Sequence, residues 1–378
     1  MRIGINGMLL GPEATGVEVA ILELVRALAE RGKHEYTLYA PSGFSGLQES
    51  ASLRVRRGFA SGAVRSLRIA EEQFFLPRRL VADGIELLHA PAYVAPLRSG
   101  LPLVLTIYDL QTLLAPETCR LSNRLHYNLM ISRSVAAAAR IIVPSKKVKR
   151  QVGELFGSAV DRTEVIPLGV CPVFSPGEPG AARARVQSRL KFSGPYILFL
   201  GNLEPKKNLS LLLSAYARLL RETGLPHRLV LAGRVGHGSV GLGSQGGQLG
   251  ITDRVSYTGY VDADLLPDLY RGASLFVYPS LHEGFGLAPL EAMACGVPVV
   301  ASDRGALPEV LGEAARLCRG EIDEDFTSAM SELLAEGELR DGHIARGLAL
   351  AARHTWEATA AATEAAYLKA LNEPSPGG

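Results

Sequence analysis

Hydrophobic positions along the chain fall in short runs that alternate with longer stretches of helical spacing. In the first half these runs read RIGING, YTLYA, SLRVRRG, ELLHA, LVLTI and IIVPS. Between them lie segments such as VEVAILELVRALAERG, in which apolar residues recur with the helical period. Apolar strands that alternate with amphipathic helices form parallel sheets covered on both faces. The pattern therefore predicts an α/β fold with a doubly wound sheet.

The same alternation begins again after a linker-like stretch, CPVFSPGEPG, which contains three prolines and two glycines. The later strand-like runs read PYILFLG, RLVLAG, RVSYTG, SLFVYP, PVVAS and AARLC. We therefore predict two domains, residues 1–172 and 173–355. A glycine-rich stretch in the second domain, GRVGHGSVGLGSQGG, is predicted to be a mobile loop.

The composition narrows the classes of function. The hydrophobic fraction of 47% is enough to fill two cores in a chain of 378 residues. Aromatic residues make up only 6%, which argues against a stacking surface for nucleic acid. The net charge is only +2, but residues 1–172 carry 21 basic and 15 acidic side chains. This basic half is compatible with an anionic acceptor or membrane surface, and also with ordinary solvated helix faces.

The four cysteines, Cys119, Cys171, Cys295 and Cys318, lie far apart and form no C-x-x-C pair. This spacing argues against a disulfide framework and against a zinc site. The first residues, MRIGINGMLLG, are interrupted by polar and glycine residues, and no apolar run approaches the roughly 18 residues that span a bilayer. We expect reduced thiols and a cytoplasmic location.

Three glycine-bearing turns follow predicted strands, which is where open α/β sheets bind ligands. The first, GPEATGVE, has the glycine spacing of a P-loop, but Val17 and Glu18 replace the lysine and hydroxyl residue that such a loop needs. It is not predicted to hydrolyse nucleotides. Gly16, just before a helix, offers backbone N–H groups to an anion or simply forms a tight turn.

The second turn, GNLEPKKNLSLLL, places Lys206 and Lys207 directly before a helix. The positive end of the helix dipole repels lysine side chains at a helix N-terminus, unless they share the site with an anion such as a diphosphate. The pair is therefore a candidate phosphate site, and the alternative is a solvated surface pair.

The third turn lies in the stretch HEGFGLAPLEAMACGVPVVAS. Gly284 and Gly286 allow the backbone to approach a ligand, and a helix from Leu287 points its N-terminus at the same place. Glu283 and Glu291 flank this turn and can accept hydrogen bonds from sugar hydroxyls. The alternative is that both carboxylates only stabilise the start of the helix.

One D-x-D spacing, Asp262-Ala263-Asp264, also follows a predicted strand. Such a pair can hold a metal ion on a diphosphate. We interpret it instead as the capped start of the helix ADLLPDLYRG, and we expect neither a metal nor another cofactor.

Taken together, the segments TGVEV, HAPAYVAPL, LTIYDL, GNLEPKKNL, DRVSYTGYV, EGFGLAPLEAMACGVPVVAS and GALPEVLG resemble retaining glycosyltransferases of the GT-B fold. The resemblance covers nearly the whole chain and centres on the E-x7-E region of a large family that includes many mannosyl- and glucosyltransferases. It implies two Rossmann-like domains facing a cleft, with the donor mostly on the second. It also implies that a C-terminal helix, residues 356–378, crosses back to the first domain.

The resemblance also implies roles for individual residues. Lys207 matches the lysine on the donor diphosphate, Glu283 the glutamate at the donor sugar, and Glu291 the glutamate on the ribose hydroxyls. At the remaining matched positions, the backbone is expected to contact or closely approach the donor. These positions are Gly16, Val261, Gly284, Phe285, Gly286 and Leu287.

Two positions depart from the family pattern. Tyr108-Asp109 stands where members commonly have His-Asp, and the resemblance implies that Tyr108 takes the catalytic place of the histidine that contacts the donor sugar. The Tyr108 hydroxyl can donate a hydrogen bond there, but unlike histidine it does not accept and release a proton near neutral pH. Asn202 stands where many members have arginine, so diphosphate neutralisation is expected to rest on Lys207 with Lys206 or Arg234. A further catalytic candidate is His89, which follows a strand and either faces the cleft or makes a structural hydrogen bond.

The sequence thus predicts a retaining transferase that moves a hexose, with mannose favoured, from a nucleoside diphosphate sugar to a hydroxyl acceptor. The expected acceptor is a carbohydrate or lipid-linked molecule in cell-surface polysaccharide or glycolipid synthesis, and the LEPKKNL and IYDL forms are similar to members that use GDP-mannose. The alternatives are a GT-B sugar-nucleotide epimerase and a non-catalytic sugar-nucleotide-binding member. The arginine-rich run from Arg54 to Arg68 is a hypothetical contact with an anionic acceptor or a peripheral membrane surface.

Overall fold

The computed structural model describes residues 1–11, 16–61, 64–114, 121–236 and 241–372. The chain divides into two compact units. The first consists of Met1–Gly169 together with the segment that begins at Thr355, and the second is Val170–His354.

The first unit is built on a seven-stranded parallel sheet. Its strands are β1 Arg2–Asn6, β2 Glu35–Ser42, β3 Leu53–Ser61, β4 Leu87–Ala90, β5 Leu103–Thr106, β6 Arg140–Val143 and β7 Thr163–Val165. The spatial order is β3-β2-β1-β4-β5-β6-β7, so the order reverses between β1 and β4, where Ile5 lies beside His89. The helices that follow these strands are α1 Val17–Arg31, α2 Arg65–Ala70, α3 Leu76–Ala82, α4 Gln111–Leu114, α5 Leu121–Ala137 and α6 Lys146–Phe156.

The second unit repeats this architecture with a six-stranded parallel sheet. Its strands are β8 Tyr196–Leu200, β9 Arg228–Ala232, β10 Val255–Gly259, β11 Leu275–Tyr278, β12 Val299–Ser302 and β13 Arg316–Cys318, in the spatial order β10-β9-β8-β11-β12-β13. Its helices are α7 Pro179–Leu190, α8 Leu209–Thr223, α9 Leu242–Gln248, α10 Leu266–Arg271, α11 Leu287–Ala294, α12 Leu307–Leu311, α13 Asp323–Leu334 and α14 Glu338–Ala351. The strand order reverses between β8 and β11. In open α/β sheets, the carboxyl ends of the two strands at such a reversal border a crevice.

A last helix, α15 Trp356–Asn372, packs on the sheet of the first unit. Trp356 and Tyr367 are buried in the same hydrophobic cluster as Ile3 of β1. The carboxylate of Glu364 accepts hydrogen bonds from Arg31 at 3.0 Å and from the Tyr36 hydroxyl at 3.1 Å. Helix α15 therefore completes the core of a unit from which it is separated by the whole second unit in sequence.

The predicted α/β class and the two doubly wound sheets are confirmed, and each strand-like run of the sequence lies in a strand. Strand β7 is the strand that the pattern missed, because its polar residues Thr163 and Glu164 leave no apolar run to indicate it. The predicted mobile loop is wrong over Leu242–Gln248, which is helical. Gln245 there donates to the Ser210 carbonyl at 3.0 Å, and this docking onto α8 outweighs the weak helix propensity of glycine.

Candidate active site

The candidate site of the second unit centres on Lys207. A short 3-10 turn, Pro205–Lys207, follows β8, and Asn208 then adopts a left-handed backbone that starts α8. This geometry turns the Lys207 side chain inward, where the residue is only 8% exposed. Its ammonium donates to Tyr278 and to Glu283, both at 2.6 Å, and it lies 4.8 Å from the centre of the Tyr278 ring. A buried ammonium is thus held by a carboxylate and a phenol.

Glu283 is fixed by the turn that leaves β11. Its carboxylate accepts a second hydrogen bond from the Ser280 hydroxyl at 2.6 Å. Burial by itself would raise the pKa of the Glu283 carboxyl, but the charges of Lys207 and Lys206 and the hydrogen bonds it accepts outweigh burial and hold this pKa below its ordinary value. Glu283 is therefore ionised at neutral pH and can accept hydrogen bonds from a ligand.

The backbone around Glu283 is packed closely against the loop before α12. The Glu283 carbonyl accepts from the Ala306 N–H at 2.9 Å, and a Cβ on Gly305 would lie 2.6 Å from the Glu283 nitrogen. Gly305 has a φ of 65°, a region that favours glycine. The position of Glu283 thus depends on a glycine 22 residues further along the chain.

The glycine turn opens helix α11 as the sequence predicted. Gly286 has a φ of 102° and stands at the N-cap of α11, where no side chain caps the helix. Uncapped N–H groups at a helix start can bind an anion. Phe285 is buried, at 5% exposed, and its ring makes an edge contact with that of His354. Gly284 is also buried.

Glu291 lies inside α11, one turn beyond its start. It is 9% exposed and accepts a hydrogen bond from the Tyr270 hydroxyl at 2.7 Å. Burial and the neighbouring Glu291 charge raise the pKa of Tyr270 well above its ordinary value, so the phenol remains a donor. Tyr270 thereby orients the carboxylate of Glu291.

The other predicted donor-binding residues follow the neighbouring strands of the same sheet. Asn202 comes after β8, Arg234 after β9 and Val261 after β10, and the carboxyl ends of these parallel strands share one edge with β11. Arg234 is exposed and its guanidinium lies 5.0 Å from the centre of the Tyr260 ring. Lys206 pairs with Glu204 at 3.7 Å. The structure therefore brings the predicted residues of the second unit to one sheet edge.

The D-x-D pair has a different role from the one predicted. Helix α10 begins only at Leu266, and no side chain caps it. Asp262 and Asp264 instead lie 3.4 and 3.0 Å from the guanidinium of Arg189. The interpretation as a helix cap is wrong, because the chain makes a backbone turn from Asp262 to Leu265 before the helix starts.

In the first unit, His89 is a core residue. It is fully buried, with Nδ1 2.8 Å from the Tyr367 hydroxyl and Nε2 2.8 Å from the Thr106 hydroxyl. Burial lowers the pKa of His89 to about 3, so the imidazole is neutral. Of the two roles that the sequence left open, the structure supports the structural hydrogen bond and contradicts a catalytic one.

The side chains of Tyr108 and Asp109 lie in different environments. Tyr108 is 7% exposed within the hydrophobic cluster of the first unit, and burial raises its pKa. Asp109 is half-buried and accepts from the Gln111 N–H at 3.1 Å and from the Tyr93 hydroxyl at 3.4 Å. Gly16 has a φ of 37° and precedes α1, while residues 12–15 of its loop lie outside the described residues.

Sequence reasoning missed four polar residues at these sites, and one of them is Tyr270, which orients Glu291. Tyr278 and Ser280 contact Lys207 and Glu283, and their place in the strand exit directly before Glu283 was the available signal. Tyr93 has a positive φ of 61°, which is rare for a residue with a side chain and is found at functional positions. Nothing in the sequence indicated this conformation.

Among the described residues, no cluster of three or more histidine, cysteine, aspartate or glutamate side chains has a geometry that could hold a metal ion. None of the described helices combines the length and the apolarity needed to cross a membrane.

Comparison with known proteins gives two family matches. The family described as Glycosyl transferases group 1 matches residues 182–347, and Glycosyltransferase Family 4 matches residues 14–174. The first range contains all six strands of the second unit, and the second range contains strands β2 to β7 of the first unit.

Individual relatives agree with these matches. The O-antigen chain mannosyltransferase B of Escherichia coli is 32% identical over 74% of this chain and 73% of its own length. The D-inositol 3-phosphate glycosyltransferase 2 of Catenulispora acidiphila is 30% identical over 96% of this chain and 91% of its own. The structure of sucrose-phosphate synthase from Thermosynechococcus elongatus matches with a TM-score of 0.79 at 21% identity, covering 98% of this chain and 99% of that one. This likeness shows the GT-B fold.

Proposed function

Because this chain belongs to the group 1 glycosyl transferases, we propose that it moves a hexose, with mannose the favoured sugar, from a nucleoside diphosphate sugar to a hydroxyl acceptor with retention of configuration. The observation that carries the proposal is the buried cluster of Lys207, Tyr278 and Glu283 beside the start of α11. In this cluster a cation and an ionised carboxylate lie beside a helix start that no side chain caps.

The proposed role of Lys207 is to stabilise the departing diphosphate. Negative charge grows on the leaving phosphate as the glycosidic bond breaks, so a fixed cation stabilises the transition state more than the bound donor. Lys207 is held in place before the ligand arrives, since Tyr278 and Glu283 both accept from its ammonium. The uncapped N-terminus of α11 adds the positive end of a helix dipole.

The proposed roles of the two glutamates are to bind sugar hydroxyls. Glu283 is ionised and faces the same edge, and we assign it to the transferred hexose. Glu291 is oriented by Tyr270, and we assign it to the ribose of the nucleotide. Hydrogen bonds to charged acceptors are the stronger ones, so these contacts orient the donor before transfer.

We also propose that the diphosphate is neutralised without a divalent metal ion. Lys207 and the helix start supply positive charge, and the D-x-D carboxylates are paired with Arg189. The test is turnover in the presence of EDTA after removal of metals. Turnover that disappears and returns on addition of Mg²⁺ or Mn²⁺ would refute this part of the proposal.

Mannose is favoured because the Escherichia coli relative is named as a mannosyltransferase. GDP is the expected nucleotide, and the acceptor is proposed to be a carbohydrate or lipid-linked hydroxyl in glycan synthesis. The inositol phosphate named for the second relative is the other acceptor class to be tried.

The decisive experiment has two steps. First, thermal shifts with GDP-, UDP- and ADP-sugars select the donor, because a ligand at about 100 times its dissociation constant adds roughly 2.7 kcal/mol of stability. Second, the selected donor is incubated with an acceptor panel, and the anomeric configuration of the product is read by NMR. Donor binding without transfer or donor hydrolysis would indicate a non-catalytic member, and an altered free sugar nucleotide would indicate an epimerase.

A further inference from the structure

Three phenylalanines project from one face of the first unit. Phe74 is 65% exposed, Phe59 58% and Phe75 45%. The rings of Phe59 and Phe75 meet edge to face at a centroid distance of 5.1 Å, which joins strand β3 to the helical segment that follows it. We call these three residues the aromatic surface. Folded proteins rarely expose large aromatic side chains side by side without a binding role.

The helical segment beneath the aromatic surface is continuous but irregular. Helix α2 runs into a π-turn, Glu71–Phe75, and then into α3 without leaving helical backbone angles. Pro77 explains the π-turn, because proline lacks the N–H that would close the preceding helical turn and its ring crowds the carbonyl there. The wider turn brings Phe74 and Phe75 to the surface together.

A buried carboxylate ties this segment to β3. Glu71 is fully buried and accepts hydrogen bonds from the backbone N–H of Phe59 at 3.2 Å and of Ala60 at 2.8 Å. Its remaining partner is the guanidinium of Arg79, at 3.1 Å. A Cβ on Gly58 would collide with this carboxylate, so only glycine fits there. The aromatic surface is thus held by buried hydrogen bonds between β3 and the helical segment.

The charge around the aromatic surface is positive. Residues 53–82 contain seven arginines and two glutamates. Both glutamates are engaged inside, since Glu71 is buried and Glu72 accepts from the Asn6 side chain at 2.6 Å. Arg57 is exposed two residues before Phe59 on the same face of β3, and Arg78 is exposed one turn after Phe74.

Arginines on β3 also have a simpler role, because β3 is the edge of its sheet and charged residues there prevent edge-to-edge pairing. That role does not account for the phenylalanines or for Arg78, which lies on the helix. Exposed aromatic side chains with exposed arginines beside them are typical of segments that lie in the interface of an anionic bilayer. A two-fold contact between copies would instead bring two positively charged surfaces together.

We propose that the aromatic surface inserts into the interfacial region of an anionic lipid bilayer, with Arg57 and Arg78 meeting the lipid phosphates. The aromatic rings supply apolar burial and the arginines select for negative charge. This inference does not depend on which sugar or acceptor the enzyme uses.

The test is sedimentation of the full-length chain with vesicles of phosphatidylcholine, with and without phosphatidylglycerol. The parent protein is expected to bind the anionic vesicles and to release partly at high salt. The double variant Phe74→Ser, Phe75→Ser is expected to lose about tenfold or more in affinity. Arg78→Gln is expected to lose about fivefold, and on anionic vesicles only.

Matched controls come from the second unit, where Leu339 is 50% exposed and Arg353 is exposed. Leu339→Ser and Arg353→Gln are expected to bind vesicles as the parent does. A further variant, Phe74→Trp, reports directly, because its fluorescence should shift to the blue when anionic vesicles are added. This readout does not require the serine variants to fold.

Three outcomes would overturn the proposal. One is equal vesicle binding by the parent and the double serine variant, and another is an unchanged emission of Phe74→Trp on binding. The last is absence of vesicle binding together with a self-association that the serine variants abolish in analytical ultracentrifugation, which would make the aromatic surface an interface between copies.

Discussion

The ammonium of Lys207 is held by a tyrosine hydroxyl and a carboxylate within a site that excludes most water. Such a buried charge is costly to leave unpaired, so each partner depends on the other. Replacing Lys207 would leave Glu283 with the weaker influence of Lys206, and burial would then raise the pKa of Glu283. The cluster therefore behaves as one unit with respect to charge.

We predict that Lys207→Met lowers kcat by about a hundredfold or more, because a fixed positive charge on the leaving diphosphate is lost. The affinity for the free nucleoside diphosphate should fall by much less. Steady-state kinetics and calorimetry measure the two quantities, and Lys206→Met is the matched variant with a smaller expected loss in kcat. Equal losses in kcat and in nucleotide affinity would reduce Lys207 to a positioning role.

Glu291 offers a second prediction at this scale. Glu291→Gln keeps an acceptor for the Tyr270 hydroxyl but removes the charge, so donor binding should weaken by about 1–3 kcal/mol while the fold is retained. Calorimetry with the selected donor measures the change. Glu332→Gln, which alters a half-exposed pair with Arg316, is the control. An affinity equal to that of the parent would remove Glu291 from the binding site.

At the scale of elements, the site is assembled where β8 and β11 end and where α11 begins. The turn between β11 and α11 is held from outside by the loop before α12, through the close approach of Gly305 to Glu283. The geometry of the glycine turn is thus set partly by a segment that contributes no functional side chain.

Gly305→Ala should separate this effect from ordinary backbone strain. Both Gly305 and Gly296 have positive φ angles, 65° and 77°, so alanine at either position should cost about 1–2 kcal/mol of stability. Only at Gly305 would the new Cβ press on the Glu283 backbone, whereas Gly296 has no atom within 4 Å of that position. Donor affinity should therefore fall in Gly305→Ala and not in Gly296→Ala. A similar fall in both variants would contradict the positioning role of Gly305.

At the scale of the whole molecule, the first unit is closed by a helix from the opposite end of the chain. Tyr367 of α15 reaches His89 of β4, and Trp356 fills the core beneath the sheet. The first unit therefore cannot complete its core until the last residues of the chain are available.

His89 makes the stability of the first unit, including the packing of α15, dependent on pH. Its pKa is about 3 in the folded protein and about 6.5 when unfolded, so the unfolded chain takes up a proton first as the pH falls. Its contribution to stability is therefore fully present above pH 6.5 and is lost as the pH falls toward 3, approaching about 1.4 kcal/mol for each pH unit.

Urea unfolding at several pH values between 7 and 5 measures this loss, with a probe in the first unit. His89→Gln keeps a side chain able to bond Tyr367 and Thr106 but does not titrate, so its stability should vary less over the same range. Equal pH dependence in the parent and the variant would show that His89 is not the group responsible.

The amino-acid sequence was enough to predict the class of fold and most of the residues of the candidate site. Buried parallel strands must be apolar along their whole length, so runs such as YILFL and LFVY were visible without any tertiary information. Glycines, lysines and carboxylates at strand ends were also visible, because parallel strands bring their carboxyl ends to one edge. That is why Lys207, Glu283 and Glu291 could be selected in advance.

Contacts between side chains that lie far apart in the sequence could be identified only in the folded protein. The sequence left His89 either facing the cleft or making a structural hydrogen bond, and the hydroxyl of Tyr367, 278 residues away, supplies that bond. The glycine-rich segment became helix α9 because it docks on α8, and Tyr278 became part of the site because Lys207 folds over it. Local pattern reports the preferences of a segment, whereas burial and hydrogen-bond partners depend on the distant residues that pack against it.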